Sequence, residues 1–222
     1  MSEAGPAGAA LTLKGVRIAA RGAILVDRFD FSLEAGEAAA LVGPPGCGKT
    51  RLLRLAAGLD RPEEGERHVA ASRSGFVFQS GGLVRNITVE ENLLLPLYYL
   101  GLGYPAARKR AVAALEDFGL SAVADQRPGE LLNETRLLAQ FARAAALDSD
   151  LLFLDEAFSQ LSRPVAAQVE HWLKGEVGKG RLAVMMTGVE RQAVPHIPTR
   201  IVELGGSGKP PPPKDLTVGV AP

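Results

Sequence analysis

Residues Gly43-Pro44-Pro45-Gly46-Cys47-Gly48-Lys49-Thr50 fit G-x-x-x-x-G-K-[ST], the pattern of a phosphate-binding loop. Ala38 to Val42, just before the loop, is a short apolar run that predicts a buried parallel strand. Leu52, Leu53, Leu55 and Ala56, just after it, give the apolar face of a helix that Gly58 and Pro62 bring to an end. Strand, glycine loop and helix thus stand in the order the motif requires. Glycines let backbone N–H groups turn inward around phosphate oxygens, and the new helix adds the positive end of its dipole. Lys49 is expected to reach the β and γ phosphates, and the Thr50 hydroxyl to be a ligand of Mg²⁺.

The totals narrow the classes of function. Lys plus Arg and Asp plus Glu are both 25 in 222 residues, so the formal net charge is zero and no polybasic surface points to nucleic acid. Cys47, the single cysteine, cannot form an internal disulfide and suits a reducing, cytoplasmic setting. No apolar run approaches the roughly 20 residues needed to span a bilayer, and no basic segment precedes a hydrophobic core at the start. Any membrane association is expected through a partner.

Residues 1–10, rich in Ala and Gly, predict a flexible tail. Leu11 and Leu13 alternate with polar neighbours, as do Phe29, Phe31 and Leu33, which predicts an antiparallel β layer ahead of the phosphate loop. Asp60 to Ser74, rich in Pro, Glu, Gly and Arg, predicts a connector. Phe76-Val77-Phe78 is a short strand that delivers Gln79 at its C-terminal end, where ligands of open α/β sheets sit. Residues 88–142 are mostly helical in pattern: Leu93, Leu94 and Leu97 form one face, broken by Pro96, and Ala111 to Phe118 form another helix ended by Gly119. Arg108-Lys109-Arg110 is read as a solvated face, with an anionic partner as the other reading.

Leu151-Leu152-Phe153-Leu154 is continuously apolar and ends in Asp155-Glu156, the pattern of a central parallel strand with two acids at its edge. Leu182 to Met186 and Ile201 to Leu204 supply two more strands. From Gly205 to 222 the chain is dominated by Gly, Lys and Pro, so an extended tail is expected, either a solvated end or a polyproline ligand.

With the phosphate loop, Gln79, the helical stretch and Leu151 to Glu156 in this order, the chain resembles the nucleotide-binding subunit of an ABC transporter over roughly residues 11–204. Phe78-Gln79-Ser80-Gly81 is similar to the family's Q-loop, and Asn86-Ile87-Thr88-Val89-Glu90-Glu91-Asn92 to the segment that follows it in importers. Ala142-Arg143-Ala144 resembles the helix leading into the Walker B strand. The Q-loop form, with Ala20-Arg21-Gly22, is most similar to Mla-type ATPases of phospholipid trafficking.

The resemblance implies an α/β P-loop NTPase fold with a RecA-like core, an antiparallel β layer and an inserted helical subdomain at about 84–142. It further implies ATP and Mg²⁺ as ligands, and a phosphate cradle spanning Gly43, Pro44, Pro45, Gly46, Cys47, Gly48, Lys49 and Thr50. Asp155 would hold Mg²⁺ through water, Gln79 would reach the metal and sense the γ-phosphate, and Glu156 would polarise the attacking water. It also implies a dimer of nucleotide-binding subunits, homo- or hetero-, seated on an integral membrane permease at the cytoplasmic face.

The same resemblance exposes departures. The family's LSGGQ signature should fall at Leu131-Leu132-Asn133-Glu134-Thr135, where only the leading Leu survives. Leu132 lacks the hydroxyl that would hold the phosphate bound by the other subunit, and Glu134 brings negative charge toward it. Family spacing puts the switch histidine at Gly188, and the D-loop Asp is Ser162. His68, His171 and His196 are read as ordinary surface histidines, and no aromatic lies near Ala19 and Ala20 where relatives stack adenine. Nucleotide binding within one subunit is therefore expected, with weak hydrolysis; the alternatives are a non-hydrolysing regulatory subunit or the degenerate half of a heterodimer.

Overall fold

The computed structural model describes residues 9–20, 22–205 and 214–217. Two long strands, β1 (Ala9–Ala20) and β2 (Ala23–Glu34), pair antiparallel. Phe29, Phe31 and Leu33 of β2 are buried on one face while Asp30 points outward, the period-2 alternation that makes a sheet with one wet side. The next strand, β3 (Ala38–Val42), is buried along its whole length, and the phosphate loop leads from it into helix α1 (Lys49–Ala56).

The stretch read as a connector contains a strand instead. β4 (Glu64–Val69) adds to the free edge of β1, pairing Leu11 with Val69 and Leu13 with Arg67. Its sequence, Glu-Gly-Glu-Arg-His-Val, carries no apolar alternation because only Val69, half-buried at its end, packs against the core. Backbone pairing defines the rest of it.

β5 (Ser74–Val77) follows, then helices α2 (Val89–Tyr99), α3 (Tyr104–Asp117) and α4 (Asn133–Leu147). α2 starts at a capping box, with Thr88 accepting from Glu91 N and Glu91 accepting from Thr88 N. Pro96 does not break this helix but lies inside it. The strong cap and the burial of Leu93, Leu94 and Leu97 outweigh the one hydrogen bond that proline removes. α3 opens at Tyr104, seven residues before Ala111, with Pro105 in its first turn. α4 buries Ala139, Ala142, Ala144 and Ala146 and runs to Leu147.

β6 (Leu151–Leu154), α5 (Arg163–Gly178), β7 (Ala183–Gly188), β8 (Arg200–Glu203) and β9 (Lys214–Thr217) complete the described elements. Among the described residues the second sheet has the order β5-β6-β7-β3-β8-β9, parallel throughout except for β9, which runs antiparallel to β8. The two stretches read as tails therefore differ in part. Ala9 and Ala10 are buried in β1, and residues 214–217 pair with β8 because its outer edge offers free backbone groups. Residues 1–8, 206–213 and 218–222, including the proline run, lie outside the described residues.

Register fixes what meets at the sheet's C-terminal edge. Val42 is opposite Gly188, Leu154 opposite Met186, and Val77 opposite Leu154. The residues that follow, Gly43, Asp155 and the Phe78-Gln79 pair, thus emerge on one side together with Thr187 and Gly188. That is the side on which open parallel sheets bind ligands.

Candidate functional site

The loop after β3 turns through Pro44, Pro45 and Gly46, which are exposed, while Cys47 and Lys49 are buried. Gly48 is the N-cap of α1 at φ 102°, a backbone conformation in which a side chain is strained, and a Cβ there would also press on Leu25 at 3.2 Å. The first turn of α1 holds no acid, so its N–H groups and dipole face the loop uncompensated. Lys49 Nζ donates to the carbonyls of Gly43 at 2.8 Å and Pro44 at 3.2 Å, and lies 3.6 Å from Glu156 Oε1.

Asp155 and Glu156 follow β6. Thr50 Oγ1 donates to Asp155 Oδ1 at 2.9 Å, joining the loop to the acid across 105 residues of sequence. Glu156 stands in the left-handed region at φ 45°, a conformation that costs a non-glycine residue free energy and recurs at functional sites. Gln79 Nε2 donates to Glu156 Oε2 at 3.2 Å. The sequence-predicted set of Lys49, Thr50, Gln79, Asp155 and Glu156 is thereby one connected group.

Thr187, on β7, was not among the expected site residues. Its hydroxyl donates to Asp155 Oδ1 at 3.0 Å and accepts from Glu156 N at 2.9 Å. It orients both acids from behind while 4% exposed. The only sequence signal was its place at the end of an apolar strand.

Thr50, Asp155 and Gln79 offer a hydroxyl, a carboxylate and an amide, the hard oxygen donors that suit Mg²⁺. Among the described residues no cluster of three His, Cys, Asp or Glu side chains could cage a metal.

The start of α4 contrasts with the start of α1. Its N-cap is Leu132, 79% exposed and without a side-chain cap. Glu134 does not project freely: its carboxylate accepts from Ser162 N at the beginning of α5. That N–H, with the Ser162 hydroxyl, holds the Glu134 carboxyl below the usual range. Asn133 Nδ2 donates to Gln160 Oε1, and Arg136 donates to Leu131 O at 2.8 Å and Pro128 O at 3.3 Å.

At Gly188 the reason for a missing side chain is visible, since a Cβ there would lie 2.6 Å from Val194 Cγ1. His171 and His196 are exposed and His68 pairs with Glu66, so none enters the site. Near Ala19, Arg51 donates to the Ala19 carbonyl. On the Arg108-Lys109-Arg110 run all three residues are exposed, and Arg108 pairs with Glu90.

Beside the Gln79 strand, a groove of about 320 Å³ is lined by Phe76, Phe78, Leu95, Pro96, Tyr99 and Arg143. Burial lowers the affinity of the Arg143 guanidinium for its proton, and it donates to Gly82 O at 2.6 Å and Phe76 O at 3.3 Å.

A parallel sheet whose central strand runs through a glycine loop into a helix, with acids ending a neighbouring strand, defines a P-loop NTPase. The fold matches a dimeric bacterial ABC transporter cassette (TM-score 0.80, 23% identity, 88% of this chain and 94% of that one). It also matches a dimeric ATP-binding cassette bound to ADP and Pi (TM-score 0.78, 23% identity, 87% and 93%). The sequence model of the ABC transporter family matches residues 26–159, and the chain belongs to that family.

Similar curated proteins include the sulfate/thiosulfate import ATP-binding proteins of Methylococcus capsulatus, 38% identical over 159 residues, and Anthoceros angustus, 31% identical over 186. These alignments take in 65% and 77% of this chain but 46% and 48% of the relatives, so the chain spans about half their length.

Proposed function

We propose that this chain is the ATP-binding subunit of an ABC transporter, binding ATP with Mg²⁺ at the Lys49 site and driving a separate membrane permease. The observation that carries the reading is the connected group of Lys49, Thr50, Gln79, Asp155 and Glu156 at the mouth of the glycine loop. Bound Mg²⁺ would supply charge neutralisation for the phosphates, with Thr50 and Asp155 as its holders and Gln79 beside them. Lys49 exchanges two loop carbonyls for phosphate oxygens, a change favoured by the stronger charge-assisted bond. Glu156 orients and polarises the attacking water, and Thr187 fixes the direction in which it points.

The groove lined by Phe76, Leu95, Tyr99 and Arg143 is the seat for the permease. Attachment to the cytoplasmic face through that partner is part of the same reading; no helix among the described residues is long and apolar enough to cross a membrane. For cargo, the curated relatives favour import of an anion such as sulfate or thiosulfate and lend nothing to phospholipid trafficking.

Hydrolysis is expected to be slow in a homodimer, because Leu132 and Gly188 bring no polar group to a second copy's phosphates. The same observation favours the second reading, a regulatory subunit or the degenerate half of a heterodimer. Calorimetry with Mg-ATP and a turnover assay, on the parent chain, Lys49→Ala and Glu156→Gln, decide between them. Lys49→Ala is expected to weaken binding about 10- to 100-fold, the worth of a hydrogen bond to a charged group. Turnover lost in both variants supports the motor; binding without turnover supports the second reading; no binding overturns both.

A further inference from the structure

The acids and amides of the Lys49 site do not end at Glu156. Glu156 Oε2 accepts from Gln79 Nε2 at 3.2 Å, and the Gln79 carbonyl accepts from Gln160 Nε2 at 2.6 Å. The other end of the same Gln160 amide, Oε1, accepts from Asn133 Nδ2 at the first turn of α4. Asn133 Oδ1 in turn accepts from Arg136, whose guanidinium also holds Leu131 O and Pro128 O. One side chain, Gln160, therefore spans the space between the strand-end loop that carries Gln79 and the start of α4.

A glutamine amide is suited to this because it donates at one end and accepts at the other, so both loops are held in one orientation. A second tie from the 160–162 segment to α4, Ser162 N to Glu134, leaves α4 anchored when the Gln160–Asn133 bond is cut. The chain of bonds begins at a lysine whose partners are weak for its charge: two carbonyls, and a carboxylate at 3.6 Å. Phosphates compete for that lysine, leaving Glu156 and then Gln79 to find new partners.

We propose that Gln160 is a positioning residue that transmits occupancy of the Lys49 site, within one subunit, to the N-terminal end of α4. The proposal rests on the nucleotide-binding reading above. It assigns work to three side chains, Asn133, Gln160 and Arg136, that are given no role in nucleotide binding itself.

Trp172, the single tryptophan, reports on the far end of the relay. Its ring, on α5, meets Phe141 of α4 edge-on at 6.4 Å and Phe118 at the end of α3 at 5.3 Å. A shift of α4 against α5 changes its emission. The experiment titrates the full chain with Mg-ATP, following heat by calorimetry and Trp172 emission in parallel, for the parent, Gln160→Glu and Asn133→Ala. Gln160→Glu still accepts from Asn133 but cannot donate to the Gln79 carbonyl; Asn133→Ala cuts the opposite end.

The expected result is an emission change in the parent that both variants lose, while their calorimetric affinity stays within about threefold, the range of a surface substitution. Variants that bind ATP and keep the emission change overturn the relay. So does a parent that binds with heat but no emission change. A parent that shows no heat of binding fails at the earlier step, and overturns the nucleotide reading along with the relay.

Discussion

The molecule contains two helix beginnings of similar construction and opposite character. At α1 the helix opens from a glycine loop, carries no acid in its first turn and places a buried lysine beside N–H groups that no side chain caps. At α4 the helix opens from Leu132, carries Glu134 in its first turn and is tied to the segment 160–162 of its own chain. Both ends have the positive dipole that attracts anions. The difference teaches that a helix N-terminus suits an anion when no acid compensates its dipole and an available cation stands beside it; at α4, Glu134 lies in the first turn and Arg136 is engaged by the carbonyls of Leu131 and Pro128.

The comparison breaks most severely if the edge of β7 is refilled. Gly188→His is expected to destabilise the fold by about 1–3 kcal/mol through overpacking against Val194, measured by urea unfolding. Val194→Ala in the same chain is expected to recover most of that loss. A smaller effect sharpens the contrast at α4. Leu132→Ser supplies the missing N-cap and is expected to raise stability by about 1 kcal/mol. In a chain of this size that is about 2–4 °C in Tm by calorimetric scanning; an unchanged Tm would mean the N–H groups of α4 already have partners.

The smallest effect concerns Glu134. Its carboxyl is held below the usual range by Ser162, so the tie contributes fully above the ordinary carboxylate pKa of about 4.3. It is lost only as pH falls through the lowered folded value. Protection against hydrogen exchange at the first turn of α5, taken relative to the intrinsic rate at each pH, is expected to be unchanged from neutral pH down to the ordinary carboxylate range, and to fall at more acid pH. Glu134→Gln, which keeps an acceptor but no charge, is expected to abolish that pH dependence.

The legibility of these features in the sequence follows their locality. The phosphate loop lies within eight consecutive residues, and Asp155-Glu156 follow a run of four apolar ones, so both were readable. Gln79 was readable because a strand end fixes its direction. The strand β4 was not, since its pairing with β1 buries backbone and leaves charged side chains outside. Pro96 misled because a local penalty was weighed without the cap at Thr88 and the burial around Leu97. Thr187, Gln160 and the turn of Glu134 toward Ser162 depend on partners 27 to 81 residues away, a distance over which no periodicity speaks.

Val194 lying against Gly188 makes the two positions epistatic. A side chain at position 188 is costly while the valine stands and cheaper once the valine shrinks, so the effect of either substitution depends on which residue occupies the other position. A mutational scan that varies position 188 alone therefore undercounts the side chains that this corner of the fold can hold.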